Sequence, residues 1–406
     1  VANTGAMYTT GWEHGYLNNA GGGICSCSVH TNISVQTNTV RSGTYALQIN
    51  QTAGEYFSRG MAIVPRPIVA VHVRLAAVPN ADVTVVYMNQ NAGLSRRQGI
   101  GIRGATGKWA CWIRLGTGAI VWGNDGPSVV TGQWLRIDMV LRSSGSGPYT
   151  YTTDAKIDGV DVPQASVVNA TSYPNFGNIY LGNPGTAIGM GTATYTIYFD
   201  DLGVWEESTN SIRTYPVGSG VVYALVPNGE GTSVNPSNFR DDNLNSPPVS
   251  PATRLGEIPV SGTADYVDQI TADGTAYIEL TMTDLAEGTA IALYVFGGES
   301  SADGTTGSFN RSLKLVDVNN NNTVYSIFGG AASAAAIRWS GSGISGVPRG
   351  AGSGSIAPDW STADVNAVKL RIGYSTDVVP NPRFHNLIIE VYVVPSVSFE
   401  AWQMLN

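Results

Sequence analysis

Apolar residues recur at every second position in run after run of this chain, and that period constrains its fold more than any other feature. In residues 68–76 the set Val69, Val71, Val73 and Leu75 alternates with Ala70, His72, Arg74 and Ala76, the pattern of a strand with one face on a core. Residues 134–142 repeat it, with Leu135, Ile137, Met139 and Leu141 set against Arg136, Asp138 and Val140. Residues 195–200, 368–374 and 387–394 read as strands too, followed by a short apolar tail at 399–405. Helical periodicity is almost absent. The clusters of Gly, Asn, Ser, Asp and Pro at 19–23, 123–126, 143–148 and 341–354 supply turn chemistry, and Asn319 to Asn322 reads as a hairpin tip. Many short strands joined by polar turns predict an all-β chain of sandwich or jelly-roll type.

With 406 residues there is room for two or three domains, each able to bury a core. The boundary is expected where the strand ending at Trp205 gives way to Glu-Glu-Ser-Thr-Asn-Ser and then to Pro216 and Gly218, dividing the chain into 1–206, a linker 207–220, and 221–406. Within the second part, residues 236–251 hold four prolines and read as an ordered, irregular excursion or an intersubunit arm. Charged residues are only 13% of the chain and 49 residues are Gly, so the surface must consist largely of Ser, Thr, Asn, Gly and backbone. The net charge of −8 is spread thinly, with no Lys or Arg run to follow a phosphate backbone, so nucleic acid is not an expected partner. No stretch approaches the ~20 consecutive apolar residues of a membrane span, so membrane insertion is not expected either. Residues 1–10 lack the basic and apolar regions of a signal peptide; either a leader has been removed or none is used.

Cys25, Cys27 and Cys111 are too few for a disulfide framework. They read as small core residues, with pairing of Cys25 or Cys27 to Cys111 left open; a zinc site would need a fourth ligand, such as His14 or His30, and neither has a diagnostic spacing.

Three segments place the first part more closely. Ser42-Gly43-Thr44-Tyr45-Ala46-Leu47-Gln48-Ile49, Gly132-Gln133-Trp134-Leu135-Arg136-Ile137 and Ile197-Tyr198-Phe199-Asp200-Asp201-Leu202-Gly203-Val204 resemble the early, middle and closing strands of concanavalin A-like, laminin-G-like jelly rolls. In the second part, residues 221–232, Gly256-Glu257-Ile258, Ala264-Asp265-Tyr266-Val267 and residues 363–370 resemble the module that follows laminin-G-like domains in tailed-bacteriophage structural proteins. The resemblance implies a virion structural protein: a capsid decoration, tail component or fibre, assembled in the host cytoplasm and carried on the virion surface. Its expected partners are further copies of itself in a homo-oligomer and other virion proteins. A carbohydrate-binding adhesin that recognises host or environmental glycans is the alternative.

The candidate site residues follow from strand geometry. Asp200 and Asp201 are adjacent carboxylates at a strand end and offer hard oxygen ligands for a structural calcium ion, provided the chain bends so that both point the same way; otherwise one caps a turn or accepts backbone N–H groups. In residues 108–115, Trp109, Cys111, Ile113 and Leu115 share one face, leaving Ala110, Trp112 and Arg114 on the other. Trp112, with Arg114 beside it, is therefore the candidate exposed ring for a saccharide, the alternative being packing under a loop or against a neighbouring subunit, while Trp109 and Trp134 read as core anchors.

No enzyme is expected. The alternating Glu-x-Asp-x-Glu run of concanavalin A-like glucanases is missing, and the adjacent Glu206 and Glu207 read as a solvated linker pair. None of His14, His30, His72 and His385 lies in a nucleophile motif, and the run Gly341-Ser342-Gly343-Ile344-Ser345-Gly346, like Gly352-Ser353-Gly354, reads as a surface loop and not as a nucleophile elbow.

Overall fold

Strand pairing accounts for most of the computed structural model, which describes residues 8–12, 26–27, 32–52, 54–90, 96–116, 119–169, 176–207, 215–257, 265–271, 273–286, 288–301, 309–332, 338–344, 360–373 and 382–394. The chain divides into two units, the first ending at Gly218 and the second beginning at Ser219.

The first unit contains the strands Tyr8–Thr10 (β1), Ser26–Cys27 (β2), Ile33–Gln36 (β3), Ala46–Gln51 (β4), Tyr56–Val64 (β5), Pro67–Leu75 (β6), Val83–Gln90 (β7) and Arg97–Arg103 (β8). Lys108–Arg114 (β9), Val121–Trp122 (β10), Trp134–Ser144 (β11), Tyr149–Ile157 (β12), Val160–Asn169 (β13), Phe176–Gly182 (β14) and Tyr195–Glu206 (β15) follow. They form two antiparallel sheets. One has the order β13-β12-β11-β6-β15-β4-β3 with β1 added to β15, and the other runs β10-β9-β8-β7-β14-β5-β2. Val69, Val71 and Val73 pair with Met139, Ile137 and Leu135, and all six are buried between the sheets. Gln98 and Thr153 touch across that interior (3.3 Å), which fixes the inward face of each sheet.

The outward face of β6 is closed as well, for Ile68, Ala70 and His72 are buried. The reason is local: the end of the unit crosses this face, bringing Val217 and Gly218 toward the Asp138 carboxylate, whose Oδ2 accepts Arg136 Nε at 2.6 Å. Glu207 belongs to the same closure, since its carboxylate receives both Nε (2.6 Å) and Nη2 (2.7 Å) of Arg142. Glu207 is thus not part of a solvated linker pair. A guanidinium fork on the sheet holds it in place.

The second unit is also a sandwich. Its strands are Val221–Leu225 (β16), Pro227–Glu230 (β17), Phe239–Asp241 (β18), Val267–Gln269 (β19), Tyr277–Met282 (β20), Thr289–Ser301 (β21), Phe309–Asp317 (β22), Thr323–Ala332 (β23), Arg338–Ile344 (β24), Lys369–Gly373 (β25) and Pro382–Val394 (β26). Sheets β18-β19-β26-β21-β24, with β16 on β26, and β17-β20-β25-β22-β23 enclose a core that includes Phe239, Leu293, Leu313, Trp360, Leu370 and Ile389. Asn321 and Asn322 form the tip between β22 and β23, both at φ 54°, a conformation Asn tolerates. The Gly/Ser run expected as a loop begins as strand instead, because Gly341, Ser342, Gly343 and Ile344 pair with Phe296, Val295, Tyr294 and Leu293 of β21. A weakly β-forming sequence takes its conformation from the neighbouring strand. Gly346 and Gly352 to Gly354 lie outside the described residues.

Residues 236–251 are ordered around one buried carboxylate. Asp241 accepts the backbone N–H groups of Asn243 (3.0 Å), Asn245 (2.9 Å) and Val249 (3.0 Å), which lowers its pKa against the opposing cost of burial. The loop so held carries Leu244 at φ 66° and 65% exposed, with Val249 at 57%.

Candidate functional site

The second sheet of the first unit carries a row of aromatic residues on its outward face. Register aligns Ser58, Tyr180, Tyr87, Gly99, Trp112 and Trp122 across β5, β14, β7, β8, β9 and β10. Tyr87 and Tyr180 stack at 4.5 Å with 9° between their planes, and Tyr56 approaches Tyr180 at 5.5 Å. The Tyr87 and Trp112 rings meet at 5.8 Å although a strand runs between them. Gly99 permits this contact: a Cβ there would lie 2.5 Å from the Cβ of Tyr87 and 2.3 Å from the Val86 carbonyl oxygen. Trp112 Nε1 donates to Thr84 Oγ1 at 3.2 Å, and the Arg103 guanidinium lies 5.2 Å from the Trp122 ring centre.

A polar row runs beside the rings. Gly60, Asn178, Asn89, Arg97 and Arg114 align across β5, β14, β7, β8 and β9. Two cations and two amides therefore flank the aromatic faces.

Residues 183–191 form a lid over the middle of this face. Asn183 Nδ2 donates to the Gly191 carbonyl (2.9 Å) and the Gly191 N–H to the Asp82 carbonyl (2.8 Å), which closes the base of the loop. Its tip is the 3-10 turn Gly185–Ile188, ended by Gly189 at φ 77°. Ile188 and Met190 form one buried cluster with Tyr87 and Trp112, and Ile120, Trp122 and Tyr180 pack at its edge. Arg97 Nη1 donates to the Ala187 carbonyl at 3.3 Å, and a Cβ on Gly189 would stand 3.6 Å from Arg114 Nη1.

This arrangement corrects the expectation for Trp112. The residue does lie on the face opposite Trp109 and Cys111, but it is fully buried, because the lid covers the face that periodicity alone leaves open to solvent. Packing under a loop is what the structure shows. Arg114 shares that face and is half-buried. Tyr87, Tyr180, Asn89, Asn178 and Arg97 join the site without having been singled out in sequence. Alternation within residues 176–182 puts Asn178 and Tyr180 on one face, yet only the register shows which strands they face.

Asp200 and Asp201 lie on the other sheet. Asp201 takes φ 50° and β15 slips register there against β6, so the chain bends as shared use of the two carboxylates requires. Protein groups fill the position toward which they converge. Asp200 accepts N–H groups from Arg41 (2.9 Å), Ser42 (3.3 Å) and Asp201 (2.8 Å), while Asp201 accepts Arg41 Nη1 (2.5 Å) and Ser42 Oγ (2.6 Å). Burial, then the neighbouring Asp201 charge, raises the pKa of Asp200. His72 Nδ1 stands 3.7 Å from Asp201, and burial together with Arg41 and Arg136 holds this imidazole well below its ordinary pKa. Among the described residues, no group of three or more His, Cys, Asp or Glu side chains is placed to hold a metal ion.

Sheet order settles one cysteine question. Cys27 on β2 and Cys111 on β9 are five strand spacings apart, roughly 24 Å at ~4.8 Å per strand and far beyond the ~7 Å limit between bridged Cα atoms. Cys111 is a free, buried thiol whose pKa burial pushes up to about 12. Cys25, His14 and His30 lie outside the described residues.

No family model and no curated protein sequence matches this chain. Among solved structures, it is similar to an endo-β-1,4-glucuronan lyase from the fungus Trichoderma reesei, with 15% identity, a TM-score of 0.37, and coverage of 47% of this chain and 93% of the other. It is similar to the cellulose-induced protein Cip1 with 15% identity, a TM-score of 0.37 and coverage of 48% and 96%, and to the marine PL-14 alginate lyase from Aplysia kurodai with 10%, 0.32, 43% and 87%. Likeness at this level ties no activity to the chain, and the all-β sandwich architecture rests on its own strand pairing.

Proposed function

We propose that this chain is a virion structural protein, a capsid decoration or tail component, that works through contacts between its own copies and not as an enzyme. The loop of residues 236–251 carries the reading: a buried carboxylate fixes an irregular excursion that presents Leu244 and Val249 to solvent, with Leu244 in a backbone conformation unfavourable to a branched apolar side chain. Ordered apolar side chains on a weakly charged surface suit a repeated protein contact. Three buried carboxylates support the same view, because they serve as clamps within their own units. Asp200 and Asp201 hold residues 41–42, and Glu279 receives Lys369 Nζ (2.8 Å) and Arg371 Nε (2.7 Å). The resemblance of residues 221–232 and 363–370 to phage structural modules supplies the particle. Light scattering on the purified chain should give a discrete oligomer that the Leu244→Asp, Val249→Asp double variant dissociates. A wild-type chain that stays monomeric at high concentration and does not bind virions would count against the proposal.

A second reading, carbohydrate binding, is favoured by one observation: the half-buried rings of Tyr180, Tyr56 and Trp122 lie beside amides and arginines on one sheet face. The two readings are compatible in a particle that also adheres.

A further inference from the structure

We infer that the lidded face of the first unit binds an acidic saccharide, a chain of uronic-acid type, with Arg97 and Arg114 receiving its carboxylates; this rests on the carbohydrate reading above. Pairing on this face is incomplete. Arg97 Nη1 is 3.3 Å from its partner, the neutral Ala187 carbonyl, and Arg97 Nε is buried with no hydrogen-bond partner among the described residues. Its register neighbour Asn89 has a buried Oδ1 in the same condition. Buried polar atoms without partners are costly, and two on adjacent strands mark a place where a ligand has something to satisfy.

The two atoms ask for different things. Arg97 Nε needs an acceptor and Asn89 Oδ1 needs a donor. A uronic acid carries both, a carboxylate and hydroxyl groups on the same ring. Replacing a neutral carbonyl by a carboxylate on a guanidinium exchanges an ordinary hydrogen bond for a charge-assisted one of roughly twice the strength. Arg114 follows Arg97 directly in the row, about 4.8 Å away across the sheet, so a second acidic group or the other oxygen of the first lies within its reach. Arg103, beyond the ring row, is 3.4 Å from Asp82 at the rim and stays with Trp122. In a chain of net charge −8 these arginines give the face a local field opposite to that of the whole.

The rings supply the other half of recognition. Tyr180 and Trp122, on either side of the lid, are half-buried and present the apolar ring surface left open by Tyr87 and Arg103 to sugar C–H groups, while the buried Tyr87 and Trp112 hold them in line. Ligand and lid then meet at the same guanidinium: Arg97 Nε is buried beside the Nη1 that holds the Ala187 carbonyl, so a carboxylate reaches it only when the covering lid shifts. Binding should therefore move the tip Gly185–Ile188 and alter the surroundings of Trp112.

The test is calorimetric titration of the full chain with tetragalacturonate and with the neutral cellotetraose, at low and high salt, with tryptophan fluorescence followed in parallel. The acidic tetrasaccharide should bind, weaken with salt, shift the fluorescence, and lose affinity about tenfold or more in Arg97→Gln and in Arg114→Gln. Equal binding of cellotetraose, salt-independent binding, or unchanged affinity in both variants would overturn the acidic assignment while leaving the carbohydrate reading intact. If neither tetrasaccharide binds, both are wrong. Thermal melting of the variants checks their folding, and the salt dependence of the wild-type chain decides the matter even where a variant does not fold.

Discussion

The two outward faces of the first unit are both covered by the chain itself, but in opposite ways. On the β6-containing face, charges meet charges: Arg41 with Asp201, Arg136 with Asp138 (2.6 Å), and Arg142 with Asp154 (2.5 Å) and Glu207 (2.6 Å). On the β7-containing face, aromatic rings meet Ile188 and Met190, and Arg97 meets a carbonyl. The difference shows which face leaves polar groups incompletely paired. A buried carboxylate must be neutralised or matched locally, so the first face is closed by its own electrostatics. An apolar cover asks for no such match, and Arg97 Nε beneath it is left without a hydrogen-bond partner among the described residues.

The apolar face carries the largest expected effect. Trp112→Ala should destabilise the first unit by about 3–5 kcal/mol in chemical denaturation, as removal of a fully buried indole does, and a cost below about 1 kcal/mol would show that the lidded row is not part of a packed core. On the ionic face, Asp201→Ala should cost about 3 kcal/mol, at the lower end for a broken buried pair because the Arg41 side chain retains 20% exposure and can rehydrate. A Glu207→Gln change, whose partner Arg142 is 33% exposed, should cost well under that, so a reversed ranking would break the link between burial and clamp strength.

The smallest effect is a pH slope. Asp200 holds its proton more tightly folded than unfolded, so the stability tied to that proton is complete below the ordinary carboxylate range and is lost as pH rises. His72, depressed in the folded state, contributes stability that grows as pH rises through its ordinary pKa of about 6.5 and is nearly complete by pH 7–8, so it offsets little of that loss. Between pH 7 and 8 the first unit should lose about 1 kcal/mol, and Asp200→Asn should flatten the slope. Melting temperatures across that range check it; an unchanged slope in the variant would mean that Asp200 is already ionised at neutrality.

Strand-forming stretches were legible where one face alternates cleanly, as in Val69 to Leu75 and Leu135 to Leu141, since burial of every second side chain is a local property. Legibility failed where a neighbour imposed the conformation, as β21 does on Gly341 to Ile344, and where a cover hid a face, as the lid hides Trp112. Glu207 shows the same limit: two adjacent acids after a strand look like a linker until Arg142, 65 residues earlier, is found beneath one of them.

The sequence by itself determined that this chain is all β, with its turns marked by Gly, Asn, Ser and Pro, because period-two burial and turn chemistry act over a few residues. Only the tertiary structure decided that Tyr180, Tyr87, Trp112 and Trp122 form one row, that Arg97 and Arg114 stand beside it, and that Asp200 and Asp201 close on residues 41–42. Each strand's alternation fits several partners and registers, and the choice among them is made by packing between segments far apart in the chain.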